Sequence, residues 1–271
     1  MQDVKRAANG MLPVRVYERL TTLACRTRPA VIVEVDTAHG AATIAMATGC
    51  KAAGAAFHLY TADPFSGFSS RAALGGVEDN LRVVDATLRQ FGVADCVTVV
   101  VGTVIDLLPR IPAGAVELLL IDADGRIDRD LAAIYDRLSP GAGIVIDDVD
   151  GDVCLTRFAY RLHCDQKHRL TRLIVDRLLA SGHLVNEHVE CSTGFFSKGQ
   201  GTAAASESPA FPAYRELVFE EIDAIAVAKR QSVIPPRHLQ GRDVYQSCGS
   251  TVHCREGLRH GRPEQGHLML L

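Results

Sequence analysis

An alternation of segment types constrains this chain most. Apolar, β-branched runs of strand length recur at residues 30–35, 57–60, 96–101, 116–121 and 143–146. Near-continuous apolar runs of this kind suit parallel strands buried on both faces. Amphipathic helical patterns lie between them. Over 77–91, Leu81, Val84, Leu88 and Phe91 share a face, and over 128–138 Leu131, Ile134, Tyr135 and Leu138 do the same. Strand and helix alternating in this way imply right-handed crossovers and a doubly wound, mostly parallel α/β sheet with helices on both faces. After Asp148 the rhythm changes. A long helix is expected over 155–180, followed by strands at 184–189 and 193–198. These two strands are too close for a crossover, so they are expected to form an antiparallel hairpin at the sheet edge, bringing the sheet to seven strands.

A chain of 271 residues suits one sizeable core with additions. The expected main domain is 1–199, followed by a Gly/Ala/Ser-rich linker at 200–212 and then a C-terminal part, 213–271. In that last part a helix is expected over 214–230, with Leu217, Ile222, Ile225 and Val227 as its apolar positions. Residues 231–271 read as a weakly ordered tail or a segment packing on a partner subunit, and helix and tail together suggest a homodimer. With 29 basic against 32 acidic residues and no basic block, nucleic acid is not an expected partner. No apolar run is long enough to span a bilayer and MQDVKRAANGMLP lacks a signal-peptide core, so a cytoplasmic protein without membrane association is expected. The eight cysteines lack paired CxxC spacing and read mostly as small buried hydrophobes.

The chemistry-bearing residues fall at strand ends. VIVEVDTAHGAATIAMA places Glu34 near the carboxyl end of the first strand and Gly40 at the opening of the next helix, where an open α/β sheet binds its ligand. Asp36 and Ala38 stand where a diphosphate-binding turn would want glycine. A carboxylate there repels a diphosphate but tolerates a sulfonium-bearing zwitterion, which disfavours a nicotinamide dinucleotide. Asp63, at the tip of the second strand, suits a vicinal diol, with a local turn role as the alternative. Gly102 and Thr103 follow the third strand, beside an adenine or as a plain turn. His39 lies in the cofactor turn, within reach of ligand or acceptor. Asp122 and Asp124 end the fourth strand while Asp147 and Asp148 end the fifth, so four carboxylates converge. Their mutual repulsion would be relieved by a hard divalent cation such as Mg²⁺, unless they merely cap loops. His163, His168, His183 and His188 read as surface or packing residues. Cys248, His253 and Cys254 lack a fourth ligand for zinc.

Together, VEVDTAHGAATIA, the acid after the second strand and the IDADG…LSPGAGIVIDD block resemble class I S-adenosylmethionine-dependent methyltransferases over residues 12–199. The closer similarity is to metal-dependent small-molecule O-methyltransferases of the catechol, caffeoyl-coenzyme A and macrocin types. The resemblance implies a Rossmann-like fold and S-adenosyl-L-methionine held by Glu34, Asp36, Gly40, Asp63, Gly102, Thr103 and Asp122. It also implies Mg²⁺ on Asp122, Asp147 and Asp148, with Asp124 as general base and His39 as a further catalytic candidate. Gly125 stands where catechol-like enzymes carry a catalytic lysine, and Asp36 replaces a usual glycine. The expected reaction is methylation of a small-molecule hydroxyl in natural-product chemistry. Metal-free N- or C-methylation and a non-catalytic cofactor-binding subunit are the rivals, with a nicotinamide-dependent oxidoreductase behind them.

Overall fold

The structure, a computed structural model, describes residues 1–65, 76–122, 125–158, 161–165, 167–199, 246–247 and 250–255. Contacts divide the chain into two units, Met1–Gly151 with Lys167–Val233, and Asp152–Gln166 with Ile234–Leu271. The expected linker at 200–212 and helix at 214–230 lie outside the described residues.

The larger unit opens with helices α1 (Gln2–Ala7) and α2 (Val14–Thr27). Strands and helices then alternate: β1 (Val31–Val35), α3 (Ala41–Ala52), β2 (His58–Asp63), α4 (Val77–Gln90), β3 (Val97–Val101), α5 (Val104–Leu107), β4 (Val116–Ile121), α6 (Ile127–Ile134) and β5 (Leu138–Ile146). The smaller unit contributes β6 (Val153–Phe158) and β7 (Arg161–Asp165). The chain then returns through α7 (Lys167–Ala180), β8 (Leu184–Glu190) and β9 (Thr193–Lys198), while β10 (Gln246–Ser247) and β11 (Ser250–Arg255) complete the smaller unit.

The main sheet has seven strands in the order β3-β2-β1-β4-β5-β9-β8. The first five run parallel, while β9 lies antiparallel to both β5 and β8. The doubly wound sheet and its terminal hairpin are therefore as the sequence reading expects. Strand alternation sorts side chains between two cores. Val33, Val35, Leu119, Ile121, Ile144 and Ile146 face a cluster that includes Leu107, Leu131, Ile134 and Ile174. Ile32, Leu118, Leu120 and Val145 face the opposite cluster, with Tyr17, Leu20, Ile44 and Met46. Each such fully buried side chain contributes about 1.5–3 kcal/mol relative to exposure.

Three expectations need correcting. The long helix expected over 155–180 begins only at Lys167, and the preceding residues form β6 and β7, paired antiparallel from Cys154↔Asp165 to Phe158↔Arg161. Apolar residues there satisfy both periods, and the β-favouring Thr156 and Phe158 find an immediate backbone partner in β7. The expected tail contains β11, which pairs parallel with β6 from Val252↔Val153 to Arg255↔Thr156, because a short strand needs only a neighbour with open backbone groups and no long apolar pattern. Of the four cysteines described as free, only Cys50 is fully buried, and Cys191 is exposed in the β8–β9 turn.

Helix α3 is built of small residues because it is enclosed: Ala41, Ala42, Ala45, Ala47, Gly49 and Cys50 are all buried. At Gly49 a methyl group would be driven into the Thr21 carbonyl of α2 and would lie 3.0 Å from the Ala24 Cβ. Gly49→Ala is therefore expected to destabilise the protein by about 1–3 kcal/mol, read as a fall in urea or thermal midpoint. An unchanged midpoint would show that α2 does not dock here.

Candidate active site

Five parallel strands end in step, and backbone hydrogen bonds just beyond them keep the following residues level. Asp36 N donates to Ala62 O (2.9 Å), Gly102 N to Asp63 O (3.0 Å), Asp122 N to Val35 O (3.2 Å) and Asp147 N to Ile121 O (3.0 Å). The acidic residues at the strand ends thus share one rim.

At the centre, Glu34 is buried and points toward α3, on the same side of β1 as Ile32, where the Thr43 hydroxyl donates to its carboxylate. Burial pushes Glu34 up to about 7, against hydrogen bonds from Thr43 and Thr61 that favour the ionised form. The turn that follows is left-handed at three places: Asp36 (φ 75°), Ala38 (φ 45°) and Gly40 (φ 84°). Gly40 N donates to Thr37 O (2.8 Å), and Gly40 caps α3. Glycine is needed at 40 for its backbone angle rather than for space, since an added Cβ would make only ordinary contacts of 3.7 Å or more. Asp36 adopts a glycine-like angle with a side chain attached. Burial, with Asp63 facing it, pushes Asp36 up to about 8.

Asp63 holds this turn. One carboxylate oxygen accepts from Ala38 N (2.8 Å) and the other from Phe65 N (2.6 Å). The local turn role weighed from sequence is therefore realised, and Asp63 is also hydrogen-bonded to the Asp36 side chain. His39 is 7% exposed, and its Nε2 is buried with no hydrogen-bond partner among the described residues. An orphaned polar atom inside a turn shaped to approach a ligand fits a polar cofactor. Gly102 (φ 147°) and Thr103 also have a local role. Thr103 caps α5 in a reciprocal capping box with Asp106, and a Cβ at Gly102 would collide with the Asp106 carboxyl.

The other half of the rim holds Asp122, Asp147 and Asp148, whose nearest carboxylate oxygens all lie within 4.8 Å of one another. Burial, then repulsion from Asp147, pushes Asp122 well up, and burial with Asp148 alongside raises Asp147. Asp147 is oriented by the Thr193 hydroxyl (2.6 Å) and more weakly by that of Ser192 (3.3 Å), both from the start of the terminal hairpin. Asp148, at φ 60°, behaves oppositely. Despite burial its carboxyl is held below the usual range, because Lys167 Nζ lies 2.6 Å from one oxygen and His168 Nε2 lies 2.8 Å from the other. The second ring nitrogen of His168 faces Asp150 Oδ1 at 2.8 Å. Hydrogen bonds to Asp148 and Asp150 push His168 up to about 10, and the imidazolium is the form with a proton for each carboxylate.

Asp124 lies outside the described residues. Sequence reasoning missed Lys167 and the role of His168, a partly exposed residue that is ion-paired to the rim. The only local signal was their position at the first turn of α7, where a positive charge is unfavourable near the helix dipole and needs a carboxylate to offset it.

A family model described as a methyltransferase domain matches residues 33–149, the segment that carries Glu34, Asp63, Asp122, Asp147 and Asp148. No curated protein gives a significant sequence match. Among solved structures, the chain resembles cofactor-bound Rv0187 from MTB, with 20% identity and a TM-score of 0.52 over 73% of this chain and 88% of that one. It also resembles the O-methyltransferase TomG of Streptomyces achromogenes, involved in tomaymycin synthesis and solved with SAM (17%, TM-score 0.53, 74% and 89% of the chains). A third likeness is to the O-methyltransferase of Bacillus cereus in complex with SAH (15%, TM-score 0.51, 73% and 90%).

Asp36 supplies a test of the turn. Its raised value means the native state holds a proton that the unfolded chain releases near its ordinary value of 3.8, so this group's contribution to stability declines from there up to about 8. Asp36→Gly removes that decline and relieves a left-handed non-glycine residue, worth about 1–2 kcal/mol. The gain in melting temperature is expected to be larger at pH 8 than at pH 5. A gain independent of pH would show that the carboxyl is not held protonated.

Proposed function

We propose that this chain, a methyltransferase of the class I fold, transfers a methyl group from S-adenosylmethionine to a hydroxyl of a small molecule. The single observation that carries the reading is the acidic rim itself: Glu34, Asp36, Asp63, Asp122 and Asp147 stand at the level ends of adjacent parallel strands, within the segment matched as a methyltransferase domain. Diphosphate is a poor ligand for such a rim, and a cationic sulfonium is a good one. The likeness to O-methyltransferases bound to SAM or SAH supports the choice of oxygen as acceptor and of this cofactor.

The cofactor, when bound, supplies an electrophilic methyl on a positively charged sulfur. The chain's own residues do the rest. The turn over 36–40, pinned by Asp63 to Ala38, offers backbone to the ligand, and the buried His39 Nε2 can take one of its polar atoms. Asp63 retains lone pairs for ribose hydroxyls while holding Phe65 N. Positioning the acceptor oxygen in line with the methyl accounts for much of the acceleration without any covalent nucleophile. Asp124, the proposed base, remains assigned by its place after β4 alone.

Mg²⁺ on Asp122, Asp147 and Asp148 is favoured by their closeness. Against it, both oxygens of Asp148 already face cationic nitrogens and Asp147 accepts a strong bond from Thr193. The donor set is thus not open as a hard cation requires. No helix among the described residues is long and apolar enough to cross a membrane.

Calorimetry with S-adenosylmethionine and with S-adenosylhomocysteine tests the site. Asp63→Asn is expected to weaken both ligands about 10- to 100-fold, the loss of hydrogen bonds to a charged acceptor. Burial raises Glu34 to about 7 and Asp36 to about 8, and a bound cation favours their ionised forms. Preference for the sulfonium over the thioether is therefore expected to grow as pH rises from 6 to 8. Failure to bind either ligand overturns the reading, and radiolabelled methyl transfer to a panel of hydroxylated acceptors checks the reaction.

A further inference from the structure

We propose that Lys167, braced by His168, is the resident cation of the carboxylate rim and stands in the place a divalent metal would take. Lys167 Nζ lies 2.6 Å from one oxygen of Asp148, which belongs to the group of three carboxylates gathered within 4.8 Å. The same ammonium acts electrostatically on Asp122, Asp147 and Asp36, so its charge serves the whole rim and not one partner. His168 takes the other Asp148 oxygen and ties it to Asp150, fixing the carboxylate that holds the lysine.

The backbone is shaped to admit this side chain. Gly125, at φ 87°, follows directly after the end of β4, and a Cβ there would stand 2.9 Å from Lys167 Cγ and 3.8 Å from its Cβ and Cδ. The lysine stem therefore crosses the space that any other residue at 125 would fill. Both cations also sit on the first two residues of α7, a 14-residue helix whose positive end disfavours them, so the carboxylates are what keep them there. A residue held by a counter-charge at an unfavourable helix position, over a glycine that makes room for it, is a built arrangement. Lys167 acts as a positioning residue: it keeps the acidic rim together, so the cofactor and acceptor meet carboxylates held in place by the protein's own cation. The catalytic consequence, transfer without a divalent ion, rests on the methyl-transfer reading. The cation-binding readout below does not, so the two fail separately.

The experiment titrates the full-length protein with Mn²⁺ and follows free ion by electron paramagnetic resonance. Wild-type protein is expected to show no site tighter than about 1 mM, the weak end of carboxylate cation sites. Lys167→Met, which keeps the stem and deletes the charge, is expected to gain a single site at least about tenfold tighter, lost again when Asp147→Asn is added. A lysine that merely packed would lower stability on replacement but would create no ion site. Stoichiometric Mn²⁺ binding by wild type at micromolar concentration overturns the proposal, as does a folded Lys167→Met protein that gains no site. Should Lys167→Met fail to fold, Gly125→Ala, which displaces the stem, is titrated in its place and judged by the same gain or absence of a site.

Discussion

The structure depends on parallel strands ending level. Hydrogen bonds from Asp36, Gly102, Asp122 and Asp147 to the neighbouring strand fix where each chain leaves the sheet. Because side chains alternate along a strand, that level also decides which residues meet. Val33 and Val35 enter the core beneath α5 and α6, while Glu34 on the other face meets Thr43 of α3. A slip of one residue would turn the acid into the apolar first core and carry the valines across to the α3 side, where Glu34 now sits.

Bringing acids to one level creates the second problem, which is charge. Desolvation favours their neutral forms, and the rim relieves it in graded ways. Glu34 and Asp36 keep a proton to higher pH, Asp63 accepts two backbone N–H bonds, Asp147 accepts two hydroxyls, and Asp148 is ionised beside two cations. These different solutions set the chemistry along the rim. The half nearest β2 keeps protons to higher pH, and in the half nearest β5 burial raises Asp122 and Asp147 while Asp148 alone carries a charge matched by Lys167 and His168.

The part of this arrangement that repeats with a period was legible in the residues. The strands, the helices between them and the acids at their ends follow from apolar periodicity and from the rule that ligands sit at carboxyl ends. The terminal hairpin followed from the shortness of the Cys191–Ser192 link, which no crossover could use. The stretch before Lys167 was not legible, because its apolar residues fit a helix as well as a strand and only the pairing of β6 with β7 chooses between them. Lys167 and His168 were hidden for a related reason. In the run QKHRL they look like a solvated helix start, and their partners lie almost twenty residues earlier, across an excursion of the chain. Gly102 and Thr103 show the opposite limit, a pair placed correctly at the rim whose visible work is to start α5.

That excursion explains why the cations arrive from α7. The chain leaves the larger unit at Gly151 and rejoins it at Lys167. On either side of the gap stand Asp148 and Asp150, then Lys167 and His168, joined by three ion pairs of 2.6 to 2.8 Å. Closing a loop of this length costs conformational entropy, and charge pairs at its base offset part of that cost where the chain returns. Any helix could rejoin the sheet here, but one that begins with two basic residues can do so only where acids await it. The carboxylates that gather at the carboxyl end of the sheet therefore also fix where α7 starts, so substitutions among them are expected to disturb the fold and the rim together.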